Sequence, residues 1–267
     1  MSTIAVQPKT KFKSIVLPAS HGGWGFLLEP ILLGLWVAPS VAGLWLAVAA
    51  CGAFLLQQPL KLVLSDRRRK RRYPRTLWAE RFVLLFGAAT LVALGLAVTA
   101  SQAAFWLPLV LAAPLALIQL YYDTQNRGRH LIPELSGSVA LGAVAPAIAL
   151  AAGWSLAMGM ALWLILVARA LASVVYVRAR LRVERGQLVV TGPVWLAHAA
   201  GIALVAGLAW LDLAPWLSVF ALVILLVRAI YGLSAHRQPV QPKVVGFQEM
   251  GYGLALIILT AVGYSWP

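Results

Sequence analysis

A series of about nine apolar stretches constrains the fold more than any other feature of the sequence. Each stretch has roughly the 17 to 25 residues that a helix needs to cross the hydrocarbon core of a bilayer. Hydrophobic residues make up 61% of the 267-residue chain, charged residues make up 11%, and the mean hydropathy is +0.85. This composition excludes a soluble domain with a polar surface. We therefore predict an all-α, polytopic membrane bundle in which a segment at 1–20 precedes a single transmembrane domain at 21–267. The apolar stretches lie at about residues 24–39, 41–64, 82–100, 103–122, 133–152, 155–178, 191–210, 214–233 and 246–265.

The 22 Lys and Arg residues, which give the chain a net charge of +14, are placed asymmetrically. They occupy residues 9–13, 61–81, 127–129, 169–185 and 228–243, and the connections between these regions contain none. Because Lys and Arg accumulate in cytoplasmic loops, the pattern predicts nine spans with the N-terminus and every basic loop in the cytoplasm and the C-terminus outside. The expected location is a bacterial cytoplasmic (inner) membrane. Glu29 and Pro30 interrupt the first stretch, which disfavours a cleaved signal peptide.

Polar residues inside the spans gather toward the predicted cytoplasmic side. A charged side chain within a span costs a few kcal/mol unless it is paired or faces water. The pattern predicts a polar pocket that opens to the cytoplasm, above an apolar floor, with carboxylates offsetting arginines. Structural pairs between helices and snorkelling side chains are the alternative interpretation. The candidate ligand-binding residues are His21, Glu29, Gln57, Gln58, Arg81, Arg127, Glu134, Arg169, Tyr176, Arg178, Arg228 and Glu249.

Two local motifs permit more than one interpretation. His21 lies among glycines next to Trp24, which suits close approach of backbone N–H groups to an anion, or simply a helix start with an interfacial aromatic anchor. The basic run at 66–75 is a topology anchor on anionic lipid headgroups or a holder of a phosphorylated ligand. It lacks interleaved aromatic residues, so a nucleic-acid partner is not expected. His198 is interpreted as a hydrogen-bonded core residue, and no pair of His or Cys has the helical spacing of a metal site.

Several segments resemble the YwiC-like family of bacterial membrane proteins. The resemblance rests on Leu17-Pro18 through Trp24 with Glu29-Pro30, on Asn126-Arg127 through Glu134-Leu135, on Val175 through Arg180, and on Pro242-Lys243 through Glu249. This resemblance implies a membrane topology and a set of positions, without a reaction.

A more distant resemblance is to the UbiA-type intramembrane prenyltransferases, in the 57–75, 137–152 and 176–186 regions. It implies nine helices and a pocket open to the cytoplasm. Those enzymes hold Mg²⁺ and a prenyl diphosphate with two Asp-rich motifs. Here Asp66 stands alone in the first region, and Arg178, Arg180 and Arg182 occupy the second. Hard cations need clustered oxygen ligands, so the departure argues against Mg²⁺, and the cofactor is unknown. Guanidinium groups could hold a phosphate directly instead.

Three functions remain open at this point. The first is an enzyme or binding protein for an isoprenoid or lipid phosphate, with Arg81, Arg169 and Arg178 on the head group and Glu29 or Glu134 as a general base. The second is a small-solute transporter, although no repeated halves are evident. The third is a structural or assembly factor of a membrane complex. Membrane lipids are expected partners in every case.

Overall fold

The computed structural model describes residues 15–17, 21–101 and 103–266, with only the backbone of His21 and Gly22. Over these residues the chain forms helices and no strands. The ten helices of the 21–266 region are α1 His21–Val37, α2 Val41–Arg68, α3 Pro74–Ala100, α4 Trp106–Thr124, α5 Leu131–Gly142, α6 Val144–Ala151, α7 Leu156–Glu184, α8 Gly192–Trp210, α9 Trp216–Leu233 and α10 Pro242–Ser265.

These helices confirm the predicted fold class, a polytopic membrane helical bundle. Among the described residues, eight helical segments are long and apolar enough to cross a membrane when α5 and α6 are counted as one. The helix α1 is a shorter apolar helix of 17 residues, about 25 Å long at 1.5 Å per residue. The traverses alternate in direction, so the loops at 69–73, 125–130, 185–191 and 234–241 lie at one end, which we call the basic end. The location of this end in the cytoplasm stays a prediction.

Several helices extend beyond the apolar stretches that predict them, and α3 and α7 do so furthest. The helix α3 begins at Pro74, eight residues before the predicted span, and α7 continues to Glu184, six residues after it. Arg and Glu are good helix formers, so a helix continues into a charged segment that hydropathy places outside the membrane. The sequence pattern therefore marks the lipid crossing and not the end of the helix.

The fifth span is broken at Ala143, between α5 and α6. Pro146 has no N–H to donate to the carbonyl oxygen four residues before it, which weakens the helix there. The Ala143 N–H donates to the Ala140 carbonyl oxygen at 3.2 Å, so it leaves the carbonyl of Val139. Trp163 of α7 donates from Nε1 to the Val139 oxygen at 2.9 Å. The carbonyl group that the break leaves without a helical partner is thus hydrogen-bonded by a neighbouring helix, as hydrocarbon surroundings require.

The centre of the bundle is formed by α7 and the α5–α6 pair. In each of these segments 67% of the most apolar window is buried inside the protein, compared with 11% for α3 and α4, which therefore lie at the periphery. Around α7, an apolar cluster includes Leu33, Ile165, Leu225 and Leu256. Each of these residues lies one or two turns from a charged residue of the same helix, on the side away from the basic end. These apolar residues therefore form a layer next to the charged residues of the same helices.

Candidate functional site

The first element of the site is a buried ion pair between α1 and α7. Arg169, near the middle of α7, donates from Nη2 to Glu29 Oε1 of α1 at 2.8 Å. The same nitrogen donates to the backbone carbonyl oxygen of Glu249 on α10 at 3.0 Å. The charged side chains of the pair are only 3% and 7% exposed. Pairing is what makes such burial tolerable, because an unpaired charge in the centre of a membrane helix costs about 3 kcal/mol.

Glu249 links this pair to a second arginine. Its Oε1 forms an ion pair with Nη1 of Arg228 on α9, and its Oε2 lies 3.8 Å from Nη1 of Arg169. The Nε of Arg228 also donates to the Leu225 carbonyl oxygen at 3.2 Å. We call Glu29, Arg169, Arg228 and Glu249 the buried charge cluster. It joins four helices, and its two positive and two negative formal charges balance.

Aromatic rings and a histidine surround Arg228. Its guanidinium carbon lies 4.0 Å from the ring centre of Tyr176 and 5.4 Å from that of Tyr252, within the range of cation–π attraction. His198 Nε2 of α8 lies 3.3 Å from Arg228 Nη2, and His198 Nδ1 lies 2.8 Å from the Val194 carbonyl oxygen. Since a carbonyl only accepts, Nδ1 carries the hydrogen and Nε2 faces the guanidinium as an acceptor.

A glycine of α10 makes room for the ion pair between α1 and α7. A Cβ at Gly253 would overlap Glu29 Oε1 and lie 2.8 Å from Arg169 Nη2. Because α10 has no side chain at this position, it can approach α1 and α7 closely enough to cover both charges. The sequence offers a glycine here without showing what it faces.

Several polar atoms of the cluster have no hydrogen-bond partner among the described residues. They are Nε and Nη1 of Arg169, Oε2 of Glu249 and the hydroxyl oxygen of Ser173, which lies one turn from Arg169 on α7. Buried polar atoms are normally hydrogen-bonded, so several unpartnered donors and acceptors in one place require an explanation. Arg169 uses only one of its three nitrogens in the hydrogen bonds described above.

A second Arg–Glu pair lies apart from the cluster. Arg178 Nη1 contacts Glu134 Oε2 of α5 at 2.7 Å and donates to the Arg129 carbonyl oxygen at 2.9 Å. The side chains of this pair are 30% and 35% exposed. Arg178 is nine residues beyond Arg169, about 14 Å along α7 toward the basic end. The two pairs therefore form separate sites.

Other candidate residues are also placed away from the cluster. Gln57 Nε2 donates to Asp123 Oδ2 at 2.9 Å, which joins α2 to α4, and the half-buried Gln58 follows it on α2. Arg81 of α3 is exposed and lies 4.8 Å from the ring centre of Trp78.

The last two candidates lie at the ends of helices. Arg127 is exposed in the loop between α4 and α5. His21 begins α1, but its side chain is outside the described part of the chain. Of the twelve candidate residues, the structure brings together Glu29, Arg169, Tyr176, Arg228 and Glu249.

Sequence reasoning missed part of one helix face. Arg169, Ser173, Tyr176 and Arg180 are spaced four, three and four residues apart, so they share one side of α7. All four side chains are buried. Arg180 donates to the Gln238 carbonyl oxygen at 2.7 Å, and so holds the loop between α9 and α10 against α7. The helical spacing was visible in the sequence and could have identified this polar face.

The residues of the distant UbiA resemblance do not provide a metal site. Asp66 accepts from the Thr76 hydroxyl at 2.7 Å and from Arg75 Nη2 at 3.2 Å, so its carboxylate oxygens already have partners. Within the described ranges, no three His, Cys, Asp or Glu side chains are grouped so that they could hold a metal ion.

An apolar groove of about 470 Å³ lies between α8 and α9. Its lining includes Trp195 and Ala199 from α8 and Leu226 and Ile230 from α9. The groove therefore runs along the same two helices that carry His198 and Arg228.

Comparison with known proteins finds a family model that matches part of the chain. The model of the family described as YwiC-like protein matches residues 17–149. This match confirms the predicted YwiC-like resemblance, over a region that includes Glu29 and Glu134. No curated protein and no solved structure matches the chain.

Proposed function

We propose that this YwiC-like membrane protein binds an isoprenoid or lipid phosphate, with the phosphate at the buried charge cluster. The observation that carries the proposal is the pair of unpartnered nitrogens, Nε and Nη1, on an arginine that is almost completely buried. A guanidinium presents its N–H groups in a planar fork that matches two phosphate oxygens. In Arg169 the N–H groups of Nε and Nη1 remain available, one on each side of the engaged Nη2.

The two buried ion pairs are a weak explanation of stability by themselves. Removing two charges from water costs several kcal/mol per ion, and replacing such pairs with apolar residues is often neutral or stabilising. Ionisable groups inside a membrane therefore point first to a ligand or an ion pathway. Arg228 adds a second guanidinium to the same cluster through Glu249.

An apolar surface for the tail of an amphiphile is present on α8 and α9, the helices that carry His198 and Arg228. The groove between α8 and α9 is lined by apolar side chains and could hold a prenyl or acyl chain. The polar face of α7 leads from Arg169 past Ser173 and Tyr176 to Arg180, near the basic end. A head group would approach along this face when the loop that Arg180 holds moves away. Such a path would open at the basic end.

Lipid extraction with native mass spectrometry tests the proposal. The unmodified protein is compared with an Arg169→Gln, Glu29→Gln variant, which removes both charges and leaves no unpaired ion. The matched control is Arg178→Gln, Glu134→Gln, which removes the more exposed Arg–Glu pair on the same helix. We expect an anionic lipid to co-purify with the unmodified protein and the control, and to be lost from the cluster variant. Equal retention by all three proteins, or no anionic lipid on the unmodified protein, would refute the proposal.

Transport of a small solute is a second candidate, favoured by two buried hydroxyls in the other half of the bundle. Ser218 of α9 and Thr260 of α10 are fully buried, and neither hydroxyl oxygen has a hydrogen-bond partner in the described part of the chain. They lie beyond the apolar layer, toward the end opposite the basic end. Solute uptake into proteoliposomes that is abolished by Glu29→Gln would support transport, whereas uptake equal to that of empty vesicles would exclude it.

A further inference from the structure

The charge balance of the buried charge cluster limits how an anion can bind there. Arg169 and Arg228 contribute two positive charges, and Glu29 and Glu249 contribute two negative charges. Adding a monoanion would leave one net negative charge inside the membrane, which is unfavourable. Building on the proposed function, we infer that the cluster binds its anionic lipid together with one proton, and that Glu249 takes up that proton.

Protonation of Glu249 would restore the charge balance and would also supply a hydrogen-bond donor for the phosphate. Nη2 of Arg169 and Nη1 of Arg228 are occupied by carboxylate oxygens, so a phosphate that bridges the two arginines through these nitrogens must share or displace a carboxylate. A displaced carboxylate that stays buried is costly, and buried acids become neutral instead. A neutral carboxyl group also carries an O–H that can donate to a phosphate oxygen. The same side chain thus changes from acceptor to donor when the ligand binds.

Glu249 fits this role better than Glu29. Its Oε2 is buried without a hydrogen-bond partner among the described residues, so a proton placed there breaks no existing hydrogen bond. That oxygen forms only a long ion pair, at 3.8 Å, with Arg169 Nη1, which also has no hydrogen-bond partner among the described residues. Its side chain is 13% exposed and that of Glu29 is 7%, so Glu249 is also the more accessible of the two.

The groups that face Glu249 come from every helix packed around it. Glu29 lies on α1, Arg169 and Tyr176 on α7, Arg228 on α9, and Tyr252 on α10 itself. Tyrosine and arginine keep their protons near neutral pH, which leaves the carboxylates and a histidine as groups that can change charge.

His198 of α8 is that histidine, and its contacts disfavour proton uptake. Its Nδ1 already carries a hydrogen toward the Val194 carbonyl oxygen. Its Nε2 faces the Arg228 guanidinium at 3.3 Å, so a second proton would place two cations in contact. A His198→Gln variant therefore distinguishes protonation of His198 from protonation of Glu249 as the cause of a pH effect.

The experiment uses dioctanoyl phosphatidylglycerol, whose phosphodiester stays a monoanion between about pH 5 and 8 because it lacks the second ionisation, near pH 6, of a phosphate monoester. Isothermal titration calorimetry of the full-length protein in detergent is run across this range. It is repeated in two buffers of different ionisation enthalpy to count protons, with dioctanoyl phosphatidylcholine as the zwitterionic comparison. The variants are Glu249→Gln, His198→Gln and the matched control Glu134→Gln.

We expect uptake of one proton per phosphatidylglycerol bound to the unmodified protein, and a Kd that increases about tenfold per pH unit over the pH range in which that proton is taken up. Glu249→Gln should abolish the pH dependence, whereas His198→Gln and Glu134→Gln should keep it. Binding of phosphatidylglycerol without proton uptake would overturn this inference and leave the proposed function intact. No preference for phosphatidylglycerol over phosphatidylcholine would overturn both. If the Glu249 variant does not fold, the proton count on the unmodified protein still tests whether a proton is taken up, and the count on His198→Gln tests whether His198 takes it.

Discussion

Gly253 provides a direct test of how the buried charge cluster is packed. The substitution is Gly253→Ala, which adds one methyl group on the side of α10 that covers Glu29 and Arg169. That methyl carbon would overlap Glu29 Oε1 and lie 2.8 Å from Arg169 Nη2, well inside normal contact distance. The carboxylate must move, and the buried ion pair must lengthen or open.

The magnitude follows from two opposing effects. Breaking a buried ion pair costs about 3–5 kcal/mol, and partial separation should cost about 3 kcal/mol. Alanine in place of glycine within a helix contributes up to about 1 kcal/mol in the opposite direction. We therefore expect Gly253→Ala to lower the free energy of unfolding by about 2 kcal/mol. The assay is reversible unfolding by SDS in mixed micelles, followed by tryptophan fluorescence.

The same helix supplies the matched control. A Cβ at Gly251 would meet no atom within 4 Å, so Gly251→Ala should be neutral or slightly stabilising. The two variants should differ by about 3 kcal/mol although the chemical change is identical. If Gly253→Ala unfolds at the same SDS fraction as Gly251→Ala, the close approach of α10 to the ion pair is wrong.

Two further substitutions test contacts outside the cluster. Asp66→Asn should lower the free energy of unfolding by about 2 kcal/mol in the same assay, because the fully buried carboxylate accepts a charge-assisted hydrogen bond from the Thr76 hydroxyl. Trp163→Phe should cost about 1 kcal/mol, because it leaves the Val139 carbonyl oxygen unsatisfied at the break between α5 and α6. The far-UV circular dichroism of the Trp163→Phe protein should change little, since Pro146, which weakens the helix at the break, remains.

Each of these substitutions has a counterpart at an exposed site. Asp212→Asn, in the turn before α9, controls for loss of a carboxylate, and Trp216→Phe, on an exposed face of α9, controls for loss of an indole N–H. Unfolding free energies within 0.5 kcal/mol of the unmodified protein are expected for both controls. An Asp66 or Trp163 variant that behaves like its control would show that the corresponding hydrogen bond contributes nothing.

The site was only partly predictable from the sequence. Glu29 and Arg169 were identified because a charge inside an apolar stretch is expensive wherever its partner lies. Arg81 and Arg178 were grouped with them for the same reason, yet Arg81 lies against Trp78 and Arg178 pairs with Glu134. Hydropathy gives the depth of a residue in a span, but it does not give the rotation of one helix against another. That rotation decides which charges meet.

The number of traverses and the all-helical architecture were determined by the sequence alone, because a bilayer has one thickness and a helix has one rise per residue. Even the break at Ala143 has a local cause in Pro146. The tertiary structure decided the partners: Glu29 meets Arg169 across 140 positions of the chain, and Gly253 lets them be covered. Such contacts depend on how helices pack side by side, and packing depends on shapes of surfaces that no single stretch of sequence contains.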